Sequence, residues 1–194
     1  MNSPHPRPLA ALVLVVTAVA AVVLGLVTPA SAAAPYCGLT WGSQPKTAGG
    51  MGPAGSFLTN VRAGQHSCYD RLVVDLGEAG GFNDYDVRYV PELRADGSGK
   101  LIPLRGGAVL QVVVHVPAYD ENGQATYTPA NPREVVPTAG YRTFRQVAWA
   151  NSFEGYSTLG IGTRALLPFR VLVLLGPPGS GQDMKLVVDV AHRW

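Results

Sequence analysis

The chain has 194 residues, 15 basic against 13 acidic, and a formal charge of +2, so it lacks the clustered positive charge that a nucleic-acid partner demands. Loss of an N-terminal targeting segment would remove Arg7 alone among the charged residues and bring the charge to +1. What remains is about 160 residues, the size of one domain with a real hydrophobic core.

The chain opens with "MNSPHPRP", which carries one Arg and no acid, and from Leu9 to Val27 only Thr17 interrupts an apolar run. "TPASAAAP" follows, with small residues at Ala30, Ala32 and Ala34 in the spacing that a signal peptidase reads. Residues 1–32 are expected to be a signal peptide, with cleavage after Ala32 or Ala34, so that the protein touches the membrane only in transit and ends up secreted or extracytoplasmic. The alternative is an uncleaved anchor, since the run is close to the ~20 residues that span a bilayer. Bulky Tyr36 before Cys37 argues against lipidation at that cysteine.

Cys37 and Cys68 are the only cysteines, and in an oxidising compartment an even pair most economically forms one disulfide. It would tie down residues 33–56, whose Gly and Pro content and lack of apolar periodicity predict irregular chain. From 57 to 194 strand signals dominate: "FLTNVRAG", "YDRLVVDLG", "YDVRYV", "AVLQVVVHV", "YRTFRQVAW", "FRVLVLL" and "MKLVVDVA" are short, β-branched or aromatic, and punctuated by Gly, Pro, Asn or Asp. The expectation is an all-β fold: a β-sandwich or partly closed barrel of short antiparallel strands with two related halves. Alternation puts Leu110, Val112, Val114 and Val116 on a core face. "VLVLL" at 171–175 is apolar on both faces and reads as a central strand, the first arm of a hairpin closing through "GPPGSGQD". Turns are expected at 78–86 and 94–100.

Chemistry is harder to find. "RLVVD" and "KLVVD" place Arg71 with Asp75, and Lys185 with Asp189, on single strand faces, which suggests cross-strand charge pairing. The alternative for Asp75 and Asp189 is a glycosidase-type acid pair on facing strands, and Glu154, at a strand start or bulge, is a third acid a small hydrolase could use, though the sequence marks no second acid for it. No metal-ligand spacing joins His66, His115 and His192, no nucleophile motif occurs, and neither cofactor nor catalytic residue is expected. Rings and guanidinium groups that could stack on sugars and bond carboxylates make Tyr119 and Tyr127, in the long polar loop 116–140, and Arg142 and Arg145 beyond it, the candidate ligand residues.

The segments "HSCYDRLVVDLG", "YDVRYV", "VVVHVPAYD", "FEG", "GIG", "PFRVLVL" and "KLVVDVAHRW", in that order, resemble the AMIN-like domain of secreted and lipid-anchored proteins, and more distantly the AMIN domain of cell-wall amidases and secretins. The resemblance implies a β-sandwich of two related sheets used as a non-catalytic envelope module, with "RLVVDLG" and "KLVVDVA" as equivalent strands of the two halves. The partner it implies is a cell-wall polymer, peptidoglycan foremost. The competing reading, drawn from the length and polarity of loop 116–140, is a protein-protein adaptor or inhibitor that meets a secreted or envelope protein through that loop.

Overall fold

The protein is described by a computed structural model over residues 35–49, 56–77, 84–175 and 184–194. The signal-peptide expectation, most of the turn at 78–86 and the tip of the last hairpin fall outside these residues. Among the described residues no helix is long and apolar enough to cross a membrane.

Among the described residues a 3₁₀ turn, Tyr36–Gly38, precedes eleven strands: β1 (Lys46–Ala48), β2 (Leu58–Gln65), β3 (Tyr69–Leu76), β4 (Tyr85–Val90), β5 (Leu93–Arg94), β6 (Leu101–Ile102), β7 (Ala108–Val114), β8 (Phe144–Phe153), β9 (Tyr156–Thr163), β10 (Phe169–Leu174) and β11 (Met184–Ala191). They form a four-stranded sheet A in the order β10-β11-β3-β2, a five-stranded sheet B in the order β1-β4-β7-β9-β8, and the small β5-β6 hairpin, and neighbouring strands run antiparallel. The fold is a sandwich, as its pattern of alternation predicts. Its core lies between the sheets, where Leu72, Val74, Leu186, Val188 and Phe169 of sheet A meet Val87, Leu110, Val112, Val114, Leu159 and Ile161 of sheet B. The face expected from alternation in β7 is the buried one, Val116 included.

Four features depart from the expectation. The arm is not irregular throughout, because Lys46–Ala48 pairs with β4 as the outer strand of sheet B. "FRVLVLL" is an edge strand rather than a central one: β10 has only β11 beside it apart from one bridge between Gly42 and Phe169, and Leu174 and Leu175 are exposed. The echoing segments are not counterparts in two halves but direct neighbours in sheet A, with Arg71 opposite Asp189 and Asp75 opposite Lys185. Finally, β9 sits inside sheet B although its sequence, "YSTLGIGT", carries two glycines that weaken a strand. Those glycines are required by what crosses them. The chain at 104–105 lies directly on β9, so a methyl group at Gly162 would overlap the Arg105 carbonyl oxygen, and one at Gly160 would press into Leu93 and Leu104. Gln146 secures the crossing by accepting from Arg105 N–H and donating to the Arg133 carbonyl, both at 2.8 Å.

Loop 116–140 is packed rather than free. Leu58 N–H donates to Pro117 O, Thr126 Oγ1 donates to Leu58 O, and Ala118 N–H donates to Ser152 Oγ. Trp149 N–H and Val135 N–H exchange bonds with Pro132 O and Val147 O, which satisfies the outer edge of β8.

The sheets are tied at one end by Asp70, fully buried on the core side of β3. Its Oδ2 accepts Thr143 N–H at 2.5 Å and Phe144 N–H at 3.1 Å from the start of β8, and its Oδ1 lies 3.1 Å from His192 Nε2 just beyond β11. A buried carboxylate is stable only when so surrounded by donors. Asp70→Ala strands three donors and is expected to lower unfolding free energy by about 3–5 kcal/mol, whereas Asp86→Asn in the exposed Arg88 pair should leave stability nearly unchanged. Urea titrations followed by tryptophan fluorescence measure both, and equal losses would rule out Asp70 as the tie. Gly162→Ala is expected to cost about 1–3 kcal/mol or more through overpacking, whereas Gly64→Ala, whose added carbon meets nothing nearer than 3.9 Å, should be close to neutral. Comparable thermal midpoints for these two variants would contradict the close crossing.

Candidate functional site

On the outer face of sheet A the antiparallel pairing of β3 with β11 brings Arg71 to Asp189, and the pairing of β10 with β11 brings Arg170 to the same residue. Arg71 is bidentate, Nε to Oδ1 at 2.6 Å and Nη2 to Oδ2 at 2.9 Å, while Arg170 Nε reaches Oδ2 at 2.8 Å. Asp189 is wholly buried beneath the two guanidinium groups, which keep 23% and 21% of their side-chain surface exposed. Hydrogen bonding to Asp189 pushes the Arg71 pKa up from its ordinary value, so its charge is fixed. One carboxylate thus orients two cations and leaves a net positive charge.

Aromatic rings cover this cluster. Arg170 lies 5.3 Å from the centre of the Tyr69 ring and 5.4 Å from that of Trp41, and Arg71 lies 5.2 Å from Tyr69. The rings continue outward: His66 stacks on Tyr69 at 4.5 Å, Trp41 tilts against it at 5.9 Å, and Tyr36 lies 6.4 Å beyond Trp41 with Arg193 at 4.7 Å over its ring. Tyr36, Trp41 and Tyr69 are half-buried and Arg193 is exposed. The result is a belt in which rings and guanidinium groups alternate.

The arm delivers Tyr36 and Trp41 to that belt, and the contacts that place them come besides the pairing of β1 with β4. Cys37 and Cys68 are joined in a disulfide across 31 residues of sequence. Trp41 Nε1 donates to Tyr36 O at 2.8 Å, and Phe169 N–H donates to Gly42 O at 2.9 Å.

The acids that composition made conspicuous are dispersed. Asp75 accepts both Arg62 Nε at 2.8 Å and Nη2 at 3.0 Å, so Arg62 rather than Arg71 is its guanidinium partner. Asp75 and Asp189 lie four residues apart along their paired strands, or about 13 Å, beyond the separation of a glycosidase pair. Glu154 stands in the other sheet, at the turn between β8 and β9. Lys185 faces Asp75 in the strand register.

Nor does the structure gather Tyr119, Tyr127, Arg142 and Arg145 at one place. The Tyr119 hydroxyl accepts Gly155 N–H beyond the far end of β8, while Arg145, at its start, donates to the carbonyls of Tyr141, Arg142 and Phe144. Tyr127 packs edge-on against Trp149 at 5.4 Å, and burial raises its phenol pKa. Arg142 is exposed.

The strands that build this site match a known family: a model of the AMIN-like domain covers residues 56–192. The chain belongs to the AMIN-like domain family. No curated protein and no solved structure matches it. AMIN-like domains are generally non-catalytic binding modules of the cell envelope, and the disulfide agrees with an extracytoplasmic setting. The matched span of this AMIN-like domain takes in Tyr69, Arg71, Arg170 and Asp189 but not Tyr36, Trp41 or Arg193. Alternation along β3 and β11 marks Arg71 and Asp189 as sharing one outer face. Sequence reasoning missed Trp41 and Arg170 because the only signals were an isolated ring in a Gly-rich arm and a cation at the start of an apolar strand.

Replacing Cys37 and Cys68 together by Ser is expected to remove about 3–4 kcal/mol of stability on the loop-closure estimate and to release Trp41 toward water. The urea midpoint should fall and the tryptophan emission shift to the red. An unchanged spectrum would mean that the arm is held without the bridge.

Proposed function

We propose that this AMIN-like domain protein is a secreted, non-catalytic module that binds a cell-wall polymer, peptidoglycan foremost, through the belt at the disulfide end of sheet A. The observation that carries the proposal is the alternation of Tyr36, Trp41 and Tyr69 with Arg193, Arg170 and Arg71 over the buried Asp189. Sugar rings stack on aromatic faces, and carboxylates accept paired N–H groups from guanidinium. A glycan strand bearing acidic peptides presents both groups in alternation, and the belt offers both complements. Family membership and the disulfide support the envelope setting. Loop 116–140, whose anchoring bonds go to β2 and β8, is the less favoured surface for a polymer, although its exposed tip at 121–125 leaves room for a protein contact.

Co-sedimentation with purified, insoluble peptidoglycan tests this directly. The protein should pellet with the wall, Trp41→Ala and Arg193→Gln should each weaken retention by about three- to ten-fold, and added salt should weaken it further. Complete recovery of the unmodified protein in the supernatant would defeat wall binding. Retention indifferent to both substitutions would leave the wall as ligand but remove the belt as its site.

A further inference from the structure

The outer face of sheet B carries a feature that wall binding by the belt does not use. The 94–100 turn and the first strand form two banks, and between them the sheet surface lies open as a groove. One part, of about 630 Å³, runs from Thr47 across β4 and β7 to Tyr156. A second, of about 280 Å³, continues over the β8–β9 turn, sharing Val113 and Tyr156 with the first and ending at Phe153, Glu154 and Asp96. The groove crosses the five strands of the sheet, about 19 Å at the usual strand spacing, which an extended peptide of about six residues would fill.

Its lining is mixed, and the end by the β8–β9 turn is aromatic. Phe153 and Tyr156 are partners across the β8–β9 hairpin, and 42% and 40% of their surface is exposed, an unusual outlay for two large rings side by side. Tyr156 is held flat by His115, stacked at 4.2 Å and 7°, and His115 is held by Asp84 through Nδ1 at 2.8 Å. Phe153 is seated against Gly97, where an added Cβ would come within 3.0 Å of its ring. Both rings are therefore held in place while much of their surface stays exposed. Among the described lining residues are four carboxylates, Asp84, Asp86, Asp96 and Glu154, and one guanidinium, Arg88, itself bound to Asp86, while Arg94 on the bank is bound to Glu92. Asp96 is fixed by Thr158 Oγ1 at 2.6 Å and by Asn151. The exposed Glu154, which follows Phe153 in the turn that leads to Tyr156, sits in the left-handed region at φ 48°.

From this arrangement we infer that the outer face of sheet B is a docking groove for an extended peptide segment of a protein partner carrying lysine or arginine. A cation over an aromatic face is attracted by the ring quadrupole, and nearby carboxylates add to that attraction. The same rings over acids disfavour an anionic strand, so this groove and the belt select ligands of opposite charge. The domain can then hold wall polymer on one sheet while a basic protein segment lies on the other.

The test is an NMR titration of the ¹⁵N-labelled protein with an acetylated, amidated Gly-Arg hexapeptide, with the Gly-Lys and Gly-Glu versions in parallel. The basic peptides should produce saturable shifts confined to the amides around Gln111, Val113, Glu154 and Tyr156, and the Gly-Glu peptide none. Glu154→Gln and Tyr156→Ala should each weaken binding by about three- to ten-fold, and Tyr156→Phe should retain it. Shifts scattered over the surface, equal response to the acidic peptide, or an affinity untouched by Glu154→Gln would overturn the proposal. Displacement of the basic peptide by soluble wall fragments would overturn it too, by making the groove part of the polymer site. The belt's wall binding is read separately, since neither Glu154 nor Tyr156 belongs to it.

Discussion

The fold depends on one buried carboxylate. Asp70 lies in the core layer at the start of β3, where an ion without partners would be costly by several kcal/mol. Its donors come from Thr143 and Phe144 of sheet B and from His192 after β11. Around the same point Thr143 Oγ1 donates to Ala191 O, Arg164 N–H to Thr143 O and Arg164 Nη2 to His192 O. Between their inner faces the sheets pack through apolar side chains, whose contacts have no direction and tolerate sliding. Hydrogen bonds to Asp70 do have direction, and they fix where β8 begins relative to β3 and β11. Every position on either outer face inherits its placement from that registration.

Much of the sandwich was legible from alternation alone. Leu110, Val112, Val114 and Val116 declare their buried face because each is flanked by a residue that tolerates the other side. What escaped was whatever depends on a distant neighbour. β9 reads as a poor strand until the chain at 104–105 is seen to lie on Gly160 and Gly162. β10 is apolar enough to be central, yet it is an edge, with Arg170 committed to the belt and Leu174 exposed. Asp70 drew no notice beside Asp75 and Asp189, since nothing in "YDRL" reveals that two amides 73 and 74 residues away will point at it. The belt was half visible: Tyr69 and Arg71 stand in a recognisable strand, whereas Trp41 gains its role only when a disulfide folds the arm back.

The repeated segments have a meaning of their own. Reading "RLVVD" against "KLVVD" in antiparallel sense sets Arg71 across from Asp189 and Asp75 across from Lys185, unlike charges at both ends and valine facing valine in the middle. Parallel alignment would set cation against cation and acid against acid, and an antiparallel slip of two residues would put a charge opposite a valine. The echo therefore encodes both the direction and the offset of the central pair of sheet A. It contributes no reaction, but it fixes the carboxylate that steers two arginines.

The arm also bears on the fate of the chain before its cysteines are joined. From its bridge to Cys68 it runs past β10 and ends as β1 along β4, so a single length of polypeptide shields the open side of sheet B and part of the open side of sheet A. Without the bridge, the arm's hold beside β10 would rest on the one pairing of Gly42 with Phe169, and an arm that swung away would bare the amides and carbonyls of β4 to any passing strand. Oxidation thus bears on association as well as on stability: it restrains the segment that covers one edge of sheet B, while β10 keeps most of its own edge open beside the exposed Leu174 with the bridge in place.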